Sequence, residues 1–295
     1  MNNPTAPATS PTRHPWLWVL ALAFMVLAAM YQRATGPTYP KRVKVELAGQ
    51  AHRFKLLRSE TSTRDARVAV PDLGPGTTGR LVFRRFPTQE PWTTVDLHAE
   101  ADSGAQEWAA YLPKQPAAGK LEYHLELATP EGPKRIPEGE EIRLRYKDPV
   151  PTPLLIAHVI GMFFGVLFGL RTGLAAIFDA HNLKRLAWET LALLTVGGMI
   201  LGPLVQKYAF GALWTGWPYG YDLTDNKTLI MWLVWIAACT VMVKGREQSN
   251  RLAALLAATA MTIVYVIPHS ARGSQLDYSK LRQGVDAKQA VTTGK

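Results

Sequence analysis

PLLIAHVIGMFFGVLFGL, residues 153–170, contains no Asp, Glu, Lys or Arg, and its length is close to the roughly 20 apolar residues that cross a bilayer core. Four further stretches read the same way: residues 16–31 (WLWVLALAFMVLAAMY), 186–205 (LAWETLALLTVGGMILGPLV), 228–243 (TLIMWLVWIAACTVMV) and 252–267 (LAALLAATAMTIVYVI). Five transmembrane helices follow. A mean hydropathy near zero for a chain that is 47% hydrophobic is then the average of two unlike parts, one apolar and one polar.

Working outward from the second helix, the loop 179–185 carries Lys184 and Arg185 with Arg171 just upstream, and the loop 244–251 carries Lys244, Arg246 and Arg251. Positive charge in short loops marks the cytoplasmic side. The N-terminal leader, 1–15, is then cytoplasmic. Residues 41–147, the loop 206–227 and the polar tail 269–295 are outside, on the face of a bacterial inner membrane. Lys41, Arg42, Arg272, Lys280 and Arg282 dissent, but the two short loops carry more weight. Helix 1, over 16–32, reads as an uncleaved anchor, because AAMYQRATG gives a poor small-residue cleavage site. The bundle of the other four helices covers 153–268.

Between Lys41 and Tyr146 the period changes to two. KRVKVEL, HRFKLL, ARVAV, GRLVFRRF, EWAAYLP, GKLEYHLEL and EIRLRY alternate apolar and polar residues between Gly and Pro turns. Seven such strands predict an inserted antiparallel all-β sandwich. The stretch WAAYLPKQPAAGKLEYHLEL (108–127) resembles a strand-turn-strand signature of fibronectin- and immunoglobulin-like bacterial domains. Such sandwiches bind partners or act as spacers, so this one is expected to dock a protein. His52, His98 and His124 fall among the strands without carboxylate or cysteine companions at ligand spacing and read as surface histidines, as does His181 in its cytoplasmic loop.

The formal net charge of +10 has no basic helix or aromatic-basic stripe to direct it at nucleic acid, which leaves anionic membrane lipid as its counterpart. Cys239 is the only cysteine, which excludes a disulfide, a CxxC redox pair and a CxxCH heme attachment site. No Ser/His/Asp or Cys/His nucleophile, zinc site or phosphate loop is present, so the chain does not read as an enzyme.

GALWTGWPYGYDLTDNKTLIMWL, residues 211–233, concentrates Trp214, Trp217, Tyr219 and Tyr221 beside Asp222 and Asp225 ahead of the fourth helix. On this topology His158, His269 and the aromatic loop share one membrane face. Imidazole can ligate heme iron, rings can stack on a porphyrin, and an intramembrane histidine is costly unless paired. Each feature also has a plainer role. The rings suit an interfacial belt, His158 can bond a neighbouring helix, and Asp222 and Asp225 can cap the fourth helix. The row Gly161, Gly165, Gly169 on one side of the second helix is a close-packing signal that fits either account.

The order histidine, two helices, aromatic loop, two helices, histidine resembles the heme-handling cytochrome c assembly proteins, with their outer tryptophan-rich WWD loop between two heme-liganding histidines. YDLTDNKTLIMWL places Asp222, Asp225, Leu229, Ile230, Trp232 and Leu233 at the spacing of that family's loop ending. The similarity covers residues 153–272. Tyr221 stands where the family has tryptophan, Pro218-Tyr219-Gly220 is additional, and no sixth helix follows His269. What the resemblance implies is heme held by His158 and His269, with Trp214, Trp217, Tyr221, Asp222 and Asp225 around it, for presentation or cytochrome assembly. A cofactor-free accessory subunit docking a partner through the sandwich, and a bis-histidine heme b electron-transfer subunit, remain as alternatives.

Overall fold

A computed structural model describes residues 14–47, 49–72, 74, 76–102, 105–178, 182–268 and 273–292. His181 and His269 lie outside the described residues. The chain divides into two compact units, Met1–Gln32 with Ile156–Leu201 and Lys227–Ile267, and Arg33–Leu155 with Gly202–Asn226 and Pro268–Lys295.

Among the described residues five helices are long and apolar enough to cross a membrane: Trp16–Thr35, Thr152–Phe178, Leu183–Phe210, Leu223–Lys244 and Glu247–Val266. They are named α1 (Trp16–Thr35), α2 (Thr152–Phe178), α3 (Leu183–Leu194), α4 (Gly202–Phe210), α5 (Leu223–Lys244) and α6 (Glu247–Val266). A π-helical stretch, Thr195–Leu201, joins α3 to α4 within the third span. The helices extend past the apolar stretches that predict them. Leu183 and Glu247 begin spans expected at 186 and 252, because a helix can start on a polar turn whose carbonyls accept from N–H groups four residues on.

The glycine row of α2 sets the spacing inside the helical unit. A Cβ on Gly161 would come within 2.8 Å of the Gly197 Cα, and one on Gly169 within 2.6 Å of the Met261 side chain. The row continues to Gly173, where a Cβ would meet Ala258 at 2.6 Å. At Gly161 the neighbour is backbone, so only glycine allows that approach, and the close contact of backbones replaces the hydrophobic drive that is missing between helices in lipid. Around it pack Val166, Leu194, Met231, Met261 and the fully buried Trp235, whose Nε1–H points at the Met261 sulfur at 3.3 Å.

In the other unit, the described residues of Lys41–Lys147 carry eleven short strands. The seven expected ones are all present, and Ser59–Thr61, Thr93–Asp96, His98–Asp102 and Gly132–Ile136 are added. β1 (Lys41–Leu47) pairs with β2 (Gln50–Leu56), and β2 runs beside β4 (Ala66–Pro71). The order β4-β8-β7 joins β4 to β8 (Ala105–Leu112) and β7 (His98–Asp102). The largest sheet is ordered β3-β11-β9-β5-β6, from β3 (Ser59–Thr61), β11 (Ile142–Lys147), β9 (Lys120–Thr129), β5 (Thr78–Arg85) and β6 (Thr93–Asp96), with β10 (Gly132–Ile136) also on β9.

These sheets share one core. Phe54 and Leu56 come from β2, Val68 and Val70 from β4, Leu112 from β8, Leu81 from β5, Tyr123 and Leu125 from β9, and Leu144 and Tyr146 from β11. The alternation that fills it is visible along β4, where Ala66, Val68 and Val70 point inward. Tyr123 and Tyr146 are fully buried, and each satisfies its hydroxyl on a backbone carbonyl, of Leu57 at 2.9 Å and of Leu112 at 3.3 Å.

The tail is part of this unit. β12 (Gln275–Leu276), α7 (Tyr278–Arg282) and β13 (Val291–Thr292) fold against the strands, with Leu276 N–H on the Ala118 carbonyl at 3.1 Å and Tyr278 buried. A segment that reads as a polar tail is therefore structural.

Candidate functional site

α4 runs to Phe210 and α5 starts at Leu223, so the irregular part of the aromatic loop is residues 211–222. Its backbone turns at Gly216, whose carbonyl accepts from the N–H of Tyr219 and of Gly220, both at 2.9 Å. The Trp217–Pro218 peptide within this turn is cis. A Cβ on Gly216 would fall 2.6 Å from the Asp225 Cβ, so no larger residue fits there.

The two acids are spent on this architecture. Asp225 Oδ2 accepts from the Thr215 N–H at 2.6 Å, the Thr215 hydroxyl at 3.3 Å and the Gln206 amide at 3.0 Å. Asp222 caps α5, accepting the Thr224 N–H on Oδ1 at 2.9 Å. Its Oδ2 accepts the Ser274 N–H at 3.1 Å, which ties the tail to the loop. Asn226 completes the clamp by accepting the Trp217 N–H at 2.7 Å. Asp222 and Asp225 are 5% and 6% exposed.

The rings face the other way. Trp217, Tyr219 and Tyr221 are 65%, 79% and 72% exposed, while Trp214 is half-buried and donates its Nε1–H to the Trp217 carbonyl at 3.0 Å. Under the loop lies Arg145 of β11. Its guanidinium sits 4.2 Å from the Phe210 ring centroid and donates to the Ser274 carbonyl at 3.1 Å. Burial lowers its pKa to about 10, and the Asp222 carboxylate opposes that shift. Beside it, burial lowers Lys120 to about 8, with the Arg145 and Arg143 charges acting in the same direction.

His158 belongs to the helical unit. Its Nδ1 lies 2.8 Å from the Gly197 carbonyl of the π-helical stretch. A carbonyl only accepts, so Nδ1 carries the proton and Nε2 keeps its lone pair. That is the tautomer a metal-ligating histidine adopts, and equally that of a histidine bonding a neighbouring helix. As a fit to heme, His158 offers a suitable nitrogen. Asp222 already accepts bonds from the loop and the tail on its two oxygens, and Asp225 accepts its three bonds on Oδ2.

Trp214, Trp217, Tyr221, Asp222 and Asp225 thus meet in one unit, and His158 stands in the other. In the β unit His124 departs from its expected surface role. Its side chain is buried, with Nδ1 2.8 Å from Glu141 and Nε2 3.5 Å from Glu126. Glu126 shares its face two residues along β9, and Glu141 arrives from the start of β11. Among the described residues no group of three His, Cys, Asp or Glu side chains could hold a metal ion. Thr215, Asn226, Ser274 and Arg145 were not singled out by the sequence reading. The one available signal was Arg145, a cation in a strand whose outward face would need a cover. No protein-family model matches the chain, and no curated protein matches it significantly.

Proposed function

We propose that the protein is a multi-pass accessory subunit of a bacterial inner-membrane complex. Its sandwich-like β unit and aromatic loop dock a protein partner on the outer face. The observation that carries this reading is the clamped loop. Asp225, Asn226 and Asp222 fix its backbone, while three large rings stay in the open. Aromatic side chains held in place before binding lose little entropy on contact and make effective anchors. That the β strands, the loop and the tail belong to one compact unit supports reading them as lying on one side of the membrane, and the basic short loops support the outer side.

A photo-crosslinking residue at Tyr219 or Tyr221 in native membranes tests the reading. The expected product is one protein adduct of defined mass, lost when Asp225→Ala unclamps the loop. Adducts to lipid alone would make the rings an interfacial belt and sink the docking role.

Heme binding is a second reading, for which His158 keeps a ligand lone pair on Nε2 while Nδ1 bonds Gly197. His158 Nε2 would be one residue holding the iron and, by the resemblance to the cytochrome c assembly proteins, His269 the other. The bound porphyrin would supply the redox or transferable iron centre, and the exposed rings a surface for stacking. Purified protein from heme-replete cells should then show a Soret band that His158→Ala diminishes, with a pyridine hemochrome assay counting the heme. A colourless protein that takes up no added heme would remove this reading and leave the first intact.

A further inference from the structure

The hairpin that follows α1 carries a face with an unusual charge pattern. In the β1–β2 register Arg42 stands opposite Lys55 and Lys44 opposite Arg53, so directly paired residues share a face and each pair has like charge. All four side chains are exposed. Among the described residues none of the four has a carboxylate at ion-pairing distance. The next pair, Glu46 with Ala51, supplies the only acid of that row. Like charges directly across a ladder destabilise it. The opposite face cannot relieve the repulsion, because Val43, Val45, Phe54 and Leu56 are packed into the core.

The place of this face in the chain supplies its counterpart. α1 ends at Thr35 and β1 starts at Lys41, which limits their separation to about 20 Å even for a fully extended link. Arg33, in the last turn of α1, and Arg42, on β1, both approach the Tyr39 ring, at 6.0 and 5.9 Å from its centroid. The cationic row therefore begins at the end of a membrane-crossing helix. Charged edge strands also guard against aggregation, but that needs charge of either sign and no opposed cations.

We infer that the basic face of the β1–β2 hairpin, Arg42, Lys44, Arg53 and Lys55, binds the anionic phospholipid headgroups of the membrane that α1 enters. Each basic residue near such a surface is worth about a fivefold preference, and added salt weakens it.

The test uses the full chain purified in neutral detergent with fluorescent phosphatidylglycerol as probe. Wild type should bind it at least about tenfold more tightly than it binds phosphatidylcholine. Arg53→Glu with Lys55→Glu places acids opposite Lys44 and Arg42; it should keep or raise the thermal midpoint and lose that preference. Arg42→Gln with Lys44→Gln, a milder change, should lose part of it. Equal preference in all three proteins would overturn the inference. So would displacement of the lipid by equimolar inorganic phosphate, which would mean a free-anion site, or tighter binding of polyglutamate, which would assign the face to an acidic protein.

Discussion

The helical unit and the β unit hold distant segments together by opposite means. In the first, Gly161 and Gly197 bring two backbones into contact, and methionines and alanines fill the surroundings. In the second, the aromatic loop and the tail are fastened by buried carboxylates, an asparagine and a guanidinium that bond backbone groups. The difference follows from the backbone itself. A helix satisfies its own amides and needs only surface fit, whereas an irregular loop exposes amides that something must accept. Polar residues near a membrane helix are therefore as much a sign of a folded loop as of a ligand site.

The sharpest challenge to this contrast is Gly197→Leu. Its side chain would enter space held by the Gly161 and Met162 backbone, and a loss of about 3 kcal/mol is expected, read as early loss of detergent-resistant helical signal. An unchanged unfolding midpoint would mean that the close approach is not what spaces the helices. Next is Asp225→Ala, which strips the Thr215 N–H and the Gln206 amide of their acceptor. A cost of about 2 kcal/mol is expected, with hydrogen exchange at Thr215 accelerating and the helical unit unaffected.

Asp222→Ala removes a helix cap worth about 1 kcal/mol and releases Ser274, so limited proteolysis should begin within residues 273–292. Lys120 gives a pH test of comparable size. Its folded pKa of about 8 lies below its ordinary 10.5, so between those values the unfolded chain holds more protons and stability rises with pH. Above pH 10 the buried tyrosines Tyr123, Tyr146 and Tyr278, whose pKa values are raised by burial, reverse the trend. A gain on the order of 1 kcal/mol from pH 8 to pH 10, smaller in Lys120→Met, is expected in denaturant titrations. The smallest effect should come from Trp217→Leu, within about 0.5 kcal/mol of wild-type stability, because the ring is exposed and the clamp acts on its backbone.

The five apolar helices, the glycine row and seven of the strands were legible because each is a local period. The π-helical stretch was not, since TVGGMIL has the composition of any membrane helix and its register depends on what packs against Gly197 and Gly198. The short strands Thr93–Asp96 and Gly132–Ile136 escaped because edge partners bury little and leave little alternation. Arg145 shows the limit most clearly. EIRLRY points Leu144 and Tyr146 inward and the arginine outward, and that parity is correct. What covers the arginine, Phe210 and Ser274, comes from far along the chain. The same holds for the loop, whose acids read as candidate ligands or caps, while their acceptor role toward Thr215 and Ser274 required the folded turn.

The docked tail has a consequence for biogenesis. Ser274, Leu276 and Tyr278 follow the last apolar helix in the chain, yet they bond Asp222, Ala118 and Lys120, all of which are synthesised earlier. A nascent chain halted before residue 273 would carry Asp222 and Arg145 without their tail partners. The core of the β unit is complete in residues 47–146, but its tail can dock only after the final apolar helix and the residues beyond it have been made. Resistance of residues 273–292 to protease would thus record that synthesis ran past the last apolar helix, and a quality-control protease would meet the uncovered Asp222 and Arg145 in every chain that stalled short of it.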